Sequence, residues 1–158
     1  AHPGWLEDDG VIPSLVAGWL LSSESGSAVV RDLCRLGIGL CAVVGHNLPV
    51  YIGFRGGKGV STSLGVALGV YPELTLPGIA CFFVWTAGLG MTRMSSVGSM
   101  TAAIAFPLFY IAWSRWRGDG LADRWPFLAF AVGIAVMVLW RHRANIARIL
   151  AGTETRVS

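Results

Sequence analysis

A succession of apolar runs, separated by short polar or charged stretches, dominates this sequence. The runs are Val11–Leu21, Ala28–Gly45, Ser61–Val70, Leu74–Met91, Val97–Trp113 and Trp125–Trp140. Only 13% of the residues are charged and the mean hydropathy is +0.62, whereas soluble domains have roughly 25% charged residues. Lipid must therefore cover much of the surface, because the alternative, a very apolar soluble helical protein, would lack the charge to stay in water. The pattern predicts an all-α fold, a polytopic transmembrane helical bundle with short interfacial helices.

Composition also limits how many domains the chain can form and which partners it can bind. The 158 residues show no linker and no fixed-period repeat, so we expect a single membrane-embedded domain over residues 1–158. The net charge of +3 would fit nucleic-acid binding, but the basic residues stand at the ends of apolar runs, where membrane orientation places them. We therefore expect membrane lipids, and no nucleic acid, as partners. His46 and His142 lack neighbouring carboxylates, so we expect no metal site and no cofactor.

Small residues inside the apolar runs predict close helix packing. Gly65 and Gly69 are four residues apart, as are Gly98 and Ala102. Such spacing lets helix backbones approach closely in lipid. We interpret these residues as ordinary membrane packing.

The distribution of basic residues predicts an orientation. If Ser61–Met91 is a helical hairpin with its tip at Pro72–Glu73, three basic stretches share one membrane face. They are the loop with Arg55 and Lys58, the loop with Arg93, and the tail with Arg141, Arg143 and Arg148. The charges on the opposite face nearly cancel: Glu73, Arg115, Arg117, Asp119, Asp123 and Arg124. The positive-inside rule makes the first face cytoplasmic.

The stretch from Gly45 to Val60 contains the first candidate site. Gly56, Gly57 and Gly59 surround Lys58 directly before a polar helix start. Glycines let a backbone approach a ligand closely, and a helix N-terminus offers unpaired N–H donors to a phosphate. The spacing does not match a Walker A loop. The alternative interpretation is a flexible membrane turn with a snorkelling lysine.

Two further segments lie on the same predicted face. Arg141–Leu150 is predicted to be an amphipathic helix, with Arg141, Asn145 and Arg148 on one stripe and His142 three residues before Asn145. Its alternative role is an anchor held by anionic lipid. The polar loop from Thr92 to Ser96 supplies Arg93 and Ser96, which can also be explained by orientation and helix capping.

Pooled together, these segments predict a cationic, donor-rich site at a membrane surface. Such a site suits a substrate with both a phosphate and an acyl chain, and an acyl phosphate is already activated. The enzyme would hold two phosphorylated substrates together and stabilise the oxyanion and the departing phosphate. Either His142 or a substrate phosphate oxygen can accept the hydroxyl proton.

The motifs resemble those of a known family. Gly45-His46-Asn47-Leu48-Pro49 with Gly56–Thr62, Thr92-Arg93 with Ser96, and Arg141–Ile146 with Gly152-Thr153-Glu154 are similar, in this order, to the membrane-integral acyl-phosphate:glycerol-3-phosphate acyltransferases (PlsY type). The resemblance covers roughly residues 10 to 155 and implies an enzyme of bacterial phospholipid synthesis. It would make lysophosphatidic acid from acyl phosphate and glycerol 3-phosphate at the cytoplasmic face of the inner membrane, without metal or coenzyme A.

The resemblance also implies roles for individual residues. The catalytic set would be Lys58, His142 and Asn145, in contact with phosphate or glycerol 3-phosphate. The substrate-binding or supporting residues would be Gly56, Gly57, Gly59, Arg93, Ser96 and Glu154. The three glycines would bind the acyl phosphate. His46 and Asn47 belong to the motif without an assigned role.

One part of the family pattern has no match. The family begins with a membrane helix and a loop rich in glycine, serine and asparagine with an essential arginine, and nothing before Val11 resembles it. The chain is therefore expected to lack this helix and first motif. The alternatives to the enzyme are a membrane anion or phosphate transporter, or an inactive fragment of the enzyme.

Overall fold

A computed structural model describes residues 26–53, 56–122 and 124–157, and the regular secondary structure in this part of the chain is all helical. The helices are α1 (Gly26–Asn47), α2 (Val60–Gly69), α3 (Thr75–Thr92), α4 (Ser95–Trp116), α5 (Trp125–Arg141) and α6 (Arg143–Leu150), with a short 3₁₀ turn at Val50–Ile52. Five of the predicted runs coincide with α1 to α5 within a few residues. The run predicted at Val11–Leu21 lies outside the described residues.

Helices α3 and α4 are long and apolar enough to cross a membrane. Helices α5 and α6 together pass the same test, but a 54° bend separates them. The sequence predicted one tail helix starting at Arg141, and this boundary is wrong. Helix α5 runs through Arg141, because the N–H of His142 still donates to Val138 O and Leu139 O, and α6 begins only after the bend.

The centre of the bundle is α4, which packs between α3 and α5. Gly88 and Gly98 bring α3 and α4 together, since a Cβ on Gly88 would lie 2.9 Å from the Cα of Gly98. The predicted close packing is therefore confirmed at Gly98. At Gly65 and Gly69 a Cβ would meet no atom of the described residues within 4 Å, so this part of the chain shows no close packing there.

Helices α2 and α3 form the predicted hairpin, and its tip is tied to the far end of the bundle. The carboxylate of Glu73 accepts a hydrogen bond from Arg117 at 2.8 Å and lies 3.6 Å from Arg124. Arg124 also lies 3.6 Å from Asp32 of α1, and Arg117 lies 3.1 Å from Asp119. Asp123 lies outside the described residues. Four of the other charges predicted to cancel on this face, Glu73, Arg117, Asp119 and Arg124, are thus paired side by side, and Asp32 joins them. We call these five residues the far-end ion cluster.

Candidate active site

A polar cavity of about 540 Å³ opens at the other end of the bundle, which we call the cavity end. It lies where α1 ends and where α2, α4 and α6 begin. Six of the predicted site residues line it: Lys58, Gly59, Ser96, His142, Asn145 and Glu154. The structure therefore brings the glycine loop and the C-terminal segment together, as the orientation argument requires. Arg55, expected on the same face, lies outside the described residues.

The glycines of the loop press against the end of α1. A side chain on Gly56 or Gly57 would collide with His46, and Gly59 adopts a φ of 74° with a would-be Cβ 2.8 Å from the amide of Asn47. The N–H of Gly57 already donates to His46 O at 3.2 Å. Gly56 and Gly57 are not among the residues that line the cavity. Their observed contacts shape the loop.

Unpaired backbone donors instead come from the first turn of α2. The N–H of Ser63 makes the first helical bond, to Gly59 O at 2.8 Å. The preceding N–H groups of Val60, Ser61 and Thr62 have no partner among the described residues, as expected for a helix start. Val60 and Ser61 line the cavity, so this positive end of the helix dipole faces it.

Lys58 is exposed at the cavity wall and is the only lysine of the chain. Within the described part of the molecule, no carboxylate lies within ion-pair distance of its ammonium group. Its positive charge acts on His142 across the cavity: burial lowers the pKa of His142 most, and the charge of Lys58 lowers it further. An unneutralised ammonium beside free N–H groups makes a binding site for a phosphate.

His142 lies past the end of α5, at the bend before α6, and only 1% of it is exposed. Its Nδ1 is 2.8 Å from Val138 O. Because a carbonyl oxygen only accepts, the neutral ring carries its proton on Nδ1, and Nε2 is left as an acceptor. Burial, and secondarily the charge of Lys58, lowers the pKa of His142, against opposing effects of Val138 and Glu154. The imidazole is therefore neutral at pH 7.

Glu154 joins three elements around the cavity. Its Oε1 accepts hydrogen bonds from Ser96 Oγ and Asn145 Nδ2, both at 2.6 Å, and its Oε2 accepts one from Arg148 Nε at 2.8 Å. The hydrogen bonds from Ser96 and Asn145, followed by that from Arg148, lower the pKa of Glu154 to about 2. The carboxylate is thus charged and fully used in holding α4 to α6.

The segment after α6 closes one side of the cavity. Gly152, with a φ of 69°, turns the chain at the end of α6, and the N–H of Val157 then donates to Arg93 O at 2.7 Å. Glu154, Thr155 and Val157 consequently line the cavity. Arg93 itself is exposed and is not among the lining residues, so in this structure it takes part through its backbone.

Arg141 has a position that sequence reasoning did not assign. Its Nη2 donates to Gly56 O and Gly57 O, both at 2.8 Å, and its Nε donates to Gly57 O at 3.2 Å. The sequence placed Arg141 on a helical stripe with Asn145 and Arg148. It points back to the glycine loop instead, because α5 ends one residue before the bend. No sequence signal predicts this contact.

An apolar cavity of about 350 Å³ adjoins the polar one. The two share four wall residues, Val60, Ser61, Ser95 and Ser99. Below this neck the walls are mostly apolar, with small residues on three helices making the space: Ala67, Gly78, Ala102 and Ala103. Along α4 the cavity extends from Ser95 to Phe106, which is about 16 Å at 1.5 Å per residue. Hydropathy alone did not predict this cavity.

The fold and the cavities define a class: a polytopic helical membrane protein with a cationic interfacial cavity that continues into an apolar one. Comparison with known proteins agrees. A family model described as glycerol-3-phosphate acyltransferase matches residues 9–152. The chain is 39% identical over 146 residues to a glycerol-3-phosphate acyltransferase of Thermosynechococcus vestitus, covering 90% of this chain and 64% of that protein. It is 38% identical over 148 residues to one of Gloeobacter violaceus, covering 93% and 66%.

Solved structures show the same likeness. The glycerol 3-phosphate form of PlsY, an integral membrane glycerol 3-phosphate acyltransferase, superposes with a TM-score of 0.66 at 34% identity, covering 94% of this chain and 66% of that one. Its lysophosphatidic acid form gives 0.64 at 36% identity, covering 78% and 57%. This chain belongs to the glycerol-3-phosphate acyltransferase family of the PlsY type, as the motifs predicted. It spans about two thirds of the length of the two curated relatives described above.

Proposed function

We propose that this protein transfers a fatty acyl group from acyl phosphate to glycerol 3-phosphate, giving lysophosphatidic acid and inorganic phosphate. The observation that supports this best is the shared wall between a cationic cavity and an apolar one. A molecule with a phosphate at one end and an acyl chain at the other fits both cavities at once. Membership of the acyltransferase family supports the same reaction.

Acyl phosphate would bind with its chain in the apolar cavity and its phosphate at Lys58 and the first turn of α2. The reacting carbonyl would then lie at the neck, where the free N–H groups of Val60 and Ser61 are close to the developing oxyanion. Donors that are fixed before the reaction stabilise such charge strongly. Glycerol 3-phosphate would occupy the rest of the polar cavity, near Ser96, His142 and Asn145.

The reaction would proceed by direct attack of the glycerol hydroxyl oxygen on the acyl carbonyl carbon. A C–O ester bond forms, the bond between that carbon and the phosphate oxygen breaks, and phosphate leaves with the bonding electrons. The hydroxyl proton would go to Nε2 of His142, because Nδ1 is bonded to Val138 O and the residue lines the cavity. A neutral base with an available lone pair needs no prior deprotonation.

The charges of the cavity end support an orientation. Lys58, Arg93, Arg141, Arg143 and Arg148 belong to this end, whereas two arginines of the far end, Arg117 and Arg124, are paired with carboxylates. Because basic loops are retained on the inner side, the cavity would open to the cytoplasm, at the bacterial inner membrane. Both proposed substrates are anions, and the basic face would attract them.

The test is an acyl transfer assay on the protein expressed from its complete reading frame and purified in detergent. We expect acyl phosphate and radiolabelled glycerol 3-phosphate to yield labelled lysophosphatidic acid. Lys58→Ala should lower kcat/KM by about 10²–10³-fold, the usual effect of removing one electrostatic donor, while the far-end variant Asp119→Asn stays near wild type. Folded protein that forms no product would reject the proposal, and phosphate uptake into liposomes without acyl transfer would favour a transporter.

A further inference from the structure

The most distinctive contact at the cavity end is the one between Arg141 and the glycine loop. Three hydrogen bonds from one guanidinium reach two consecutive carbonyl oxygens, Gly56 O and Gly57 O. The partners are 84 and 85 residues apart in the chain. Arg141 is also the residue directly before His142. A single side chain thus connects the two halves of the cavity wall.

The loop is held from both sides. On one side Gly56 and Gly57 are packed so tightly against the end of α1 that neither position has room for a Cβ, and Gly57 N–H is bonded to His46 O. On the other side the carbonyl oxygens of the same two glycines accept from Arg141. Two glycines with few intrinsic restrictions on φ and ψ are therefore fixed by their neighbours. Lys58 follows directly after them.

Arg141 is not part of the cavity wall itself. It is absent from the lining residues, and among the described residues no carboxylate lies within ion-pair distance of it. Its planar fork, with five donors in fixed geometry, is suited to gripping two carbonyl oxygens at once. A lysine at this position would supply only a compact point charge. Arg141 therefore differs from the other basic residues nearby in its hydrogen bonds to the glycine loop, and not in its charge.

We propose that Arg141 is a positioning residue that holds the glycine loop against the end of α5, and so sets the position of Lys58 relative to His142 for binding phosphorylated ligands. The catalytic consequence rests on the proposed acyl transfer, whereas the effect on Lys58 does not. Because a phosphate gains its binding energy from several donors at once, a displacement of Lys58 by about 1 Å is enough to weaken catalysis by about 10²-fold.

The experiment compares Arg141→Ala with Arg141→Lys and with the matched control Arg143→Ala. Arg143 is the neighbouring exposed arginine, and its guanidinium donates to Trp140 O at 3.1 Å and lies 4.7 Å from the centroid of the Trp140 ring. We expect Arg141→Ala to lower kcat/KM by about 10–100-fold, mostly by raising KM for the phosphorylated substrates, with Arg141→Lys intermediate. Added guanidinium, far below unfolding concentrations, should restore activity at least severalfold. Arg143→Ala should match wild type.

A second readout is independent of acyl transfer. Lys58 is the only lysine among these 158 residues, and peptide mass spectrometry follows its modification by an amine-reactive reagent separately from that of every other amine in the protein. Inorganic phosphate should slow the labelling of Lys58 in wild type and in Arg143→Ala, and much less in Arg141→Ala. This arm tests the positioning role even if the acyl transfer assay shows no product.

Several outcomes would overturn the inference. Equal protection of Lys58 in all variants, or equal kinetics of Arg141→Ala and Arg143→Ala, would remove the positioning role. If Arg141→Ala does not fold, Arg141→Lys decides: wild-type KM and wild-type protection in that variant would show that charge alone is sufficient. Unfolding of both variants without recovery in guanidinium would make Arg141 a stabilising residue only.

Discussion

The two ends of the bundle use charged side chains in opposite ways. At the far end Glu73, Arg117 and Arg124 are partly buried and satisfy one another. At the cavity end Lys58 and the first turn of α2 line the polar cavity, and no carboxylate lies within ion-pair distance of Lys58 in the described part of the chain. A closed ion cluster can stabilise helix packing, but its charged groups are bonded to one another and are not free to bind a ligand. An open set of donors is available for substrate.

The cavity end also contains a carboxylate, but it is used differently. Glu154 accepts all its hydrogen bonds from Ser96, Asn145 and Arg148 and leaves Lys58 unneutralised. The negative charge is therefore used to orient donors around the cavity. Charge at the far end should matter for stability, and charge at the cavity end for ligand binding and catalysis. Three substitutions test this division.

The largest effect is expected for His142→Gln. If Nε2 of His142 accepts the hydroxyl proton, the variant should lose about 10²–10⁴-fold in kcat, with a nearly unchanged melting temperature. In wild type, kcat/KM should rise with pH as His142 of the free enzyme loses its proton, with a midpoint below the ordinary histidine pKa because burial lowers it. The pH profile of kcat/KM in the variant should lack this limb.

The same profile distinguishes the other acceptor. A phosphate oxygen of a substrate titrates near pH 6, and its ionisation does not depend on residue 142. Persistence of the acidic limb in His142→Gln, with kcat within a few-fold of wild type, would assign the proton to the substrate. His46→Gln is the control, since His46 also lines the cavity but is exposed.

The second effect concerns the far end. Glu73→Ala leaves Arg117 and Arg124 without their shared partner, and removal of one member of a buried pair costs about 3–5 kcal/mol. Since the side chains of Arg117 and Arg124 are 23% and 34% exposed, we expect the free energy of unfolding to fall by about 2–4 kcal/mol. Denaturant unfolding in micelles measures it, and kcat of the folded variant should stay within about twofold.

Asp119→Ala provides the matched comparison. Among the described residues Asp119 pairs with Arg117 alone, and both side chains are partly exposed, so its removal should cost about 1 kcal/mol or less. Equal losses of stability in the two variants would show that the cluster does not act through Glu73. A Glu73→Ala protein that is stable but inactive would contradict the assignment of stability to the far end and of activity to the cavity end.

Much of this comparison was visible in the sequence, because it depends on local patterns. Apolar runs predicted α1 to α5 and the hairpin tip at Glu73, and the positions of Lys58 and Arg93 predicted which loops share a face. Hydropathy and the positive-inside rule work here because lipid imposes them on each segment separately. The family motifs predicted the residues around the polar cavity.

The contacts between distant residues could not be predicted in the same way. Arg141 was assigned to a helical stripe, since a sequence does not show that α5 ends at this residue and that the chain bends by 54°. Gly65 and Gly69 have the spacing of a packing motif, but neither packs closely against another helix of the described residues. The roles proposed for Lys58 and His142 are predictions that the assays above test, and the role of Asn145 stays a prediction.

The smallest effect is expected for Glu154→Gln, and it appears as a dependence of stability on pH. The pKa of Glu154 is about 2 in the folded protein and 4.5 ordinarily. Its stabilising contribution is therefore complete above pH 4.5 and is lost as the pH falls from 4.5 towards 2. The difference in melting temperature between wild type and Glu154→Gln should shrink across this window, since glutamine does not titrate.

Arg148→Gln is the control that locates the effect. The side chain of Arg148 is 47% exposed, and the hydrogen bonds from Ser96 and Asn145 contribute most to the shift. This variant should therefore keep most of the wild-type pH dependence, whereas Ser96→Ala should weaken it. If Arg148→Gln removed the dependence and Ser96→Ala left it intact, Glu154 would act as one half of a surface ion pair. The cavity end would then resemble the far end, where carboxylates are held mainly by arginines.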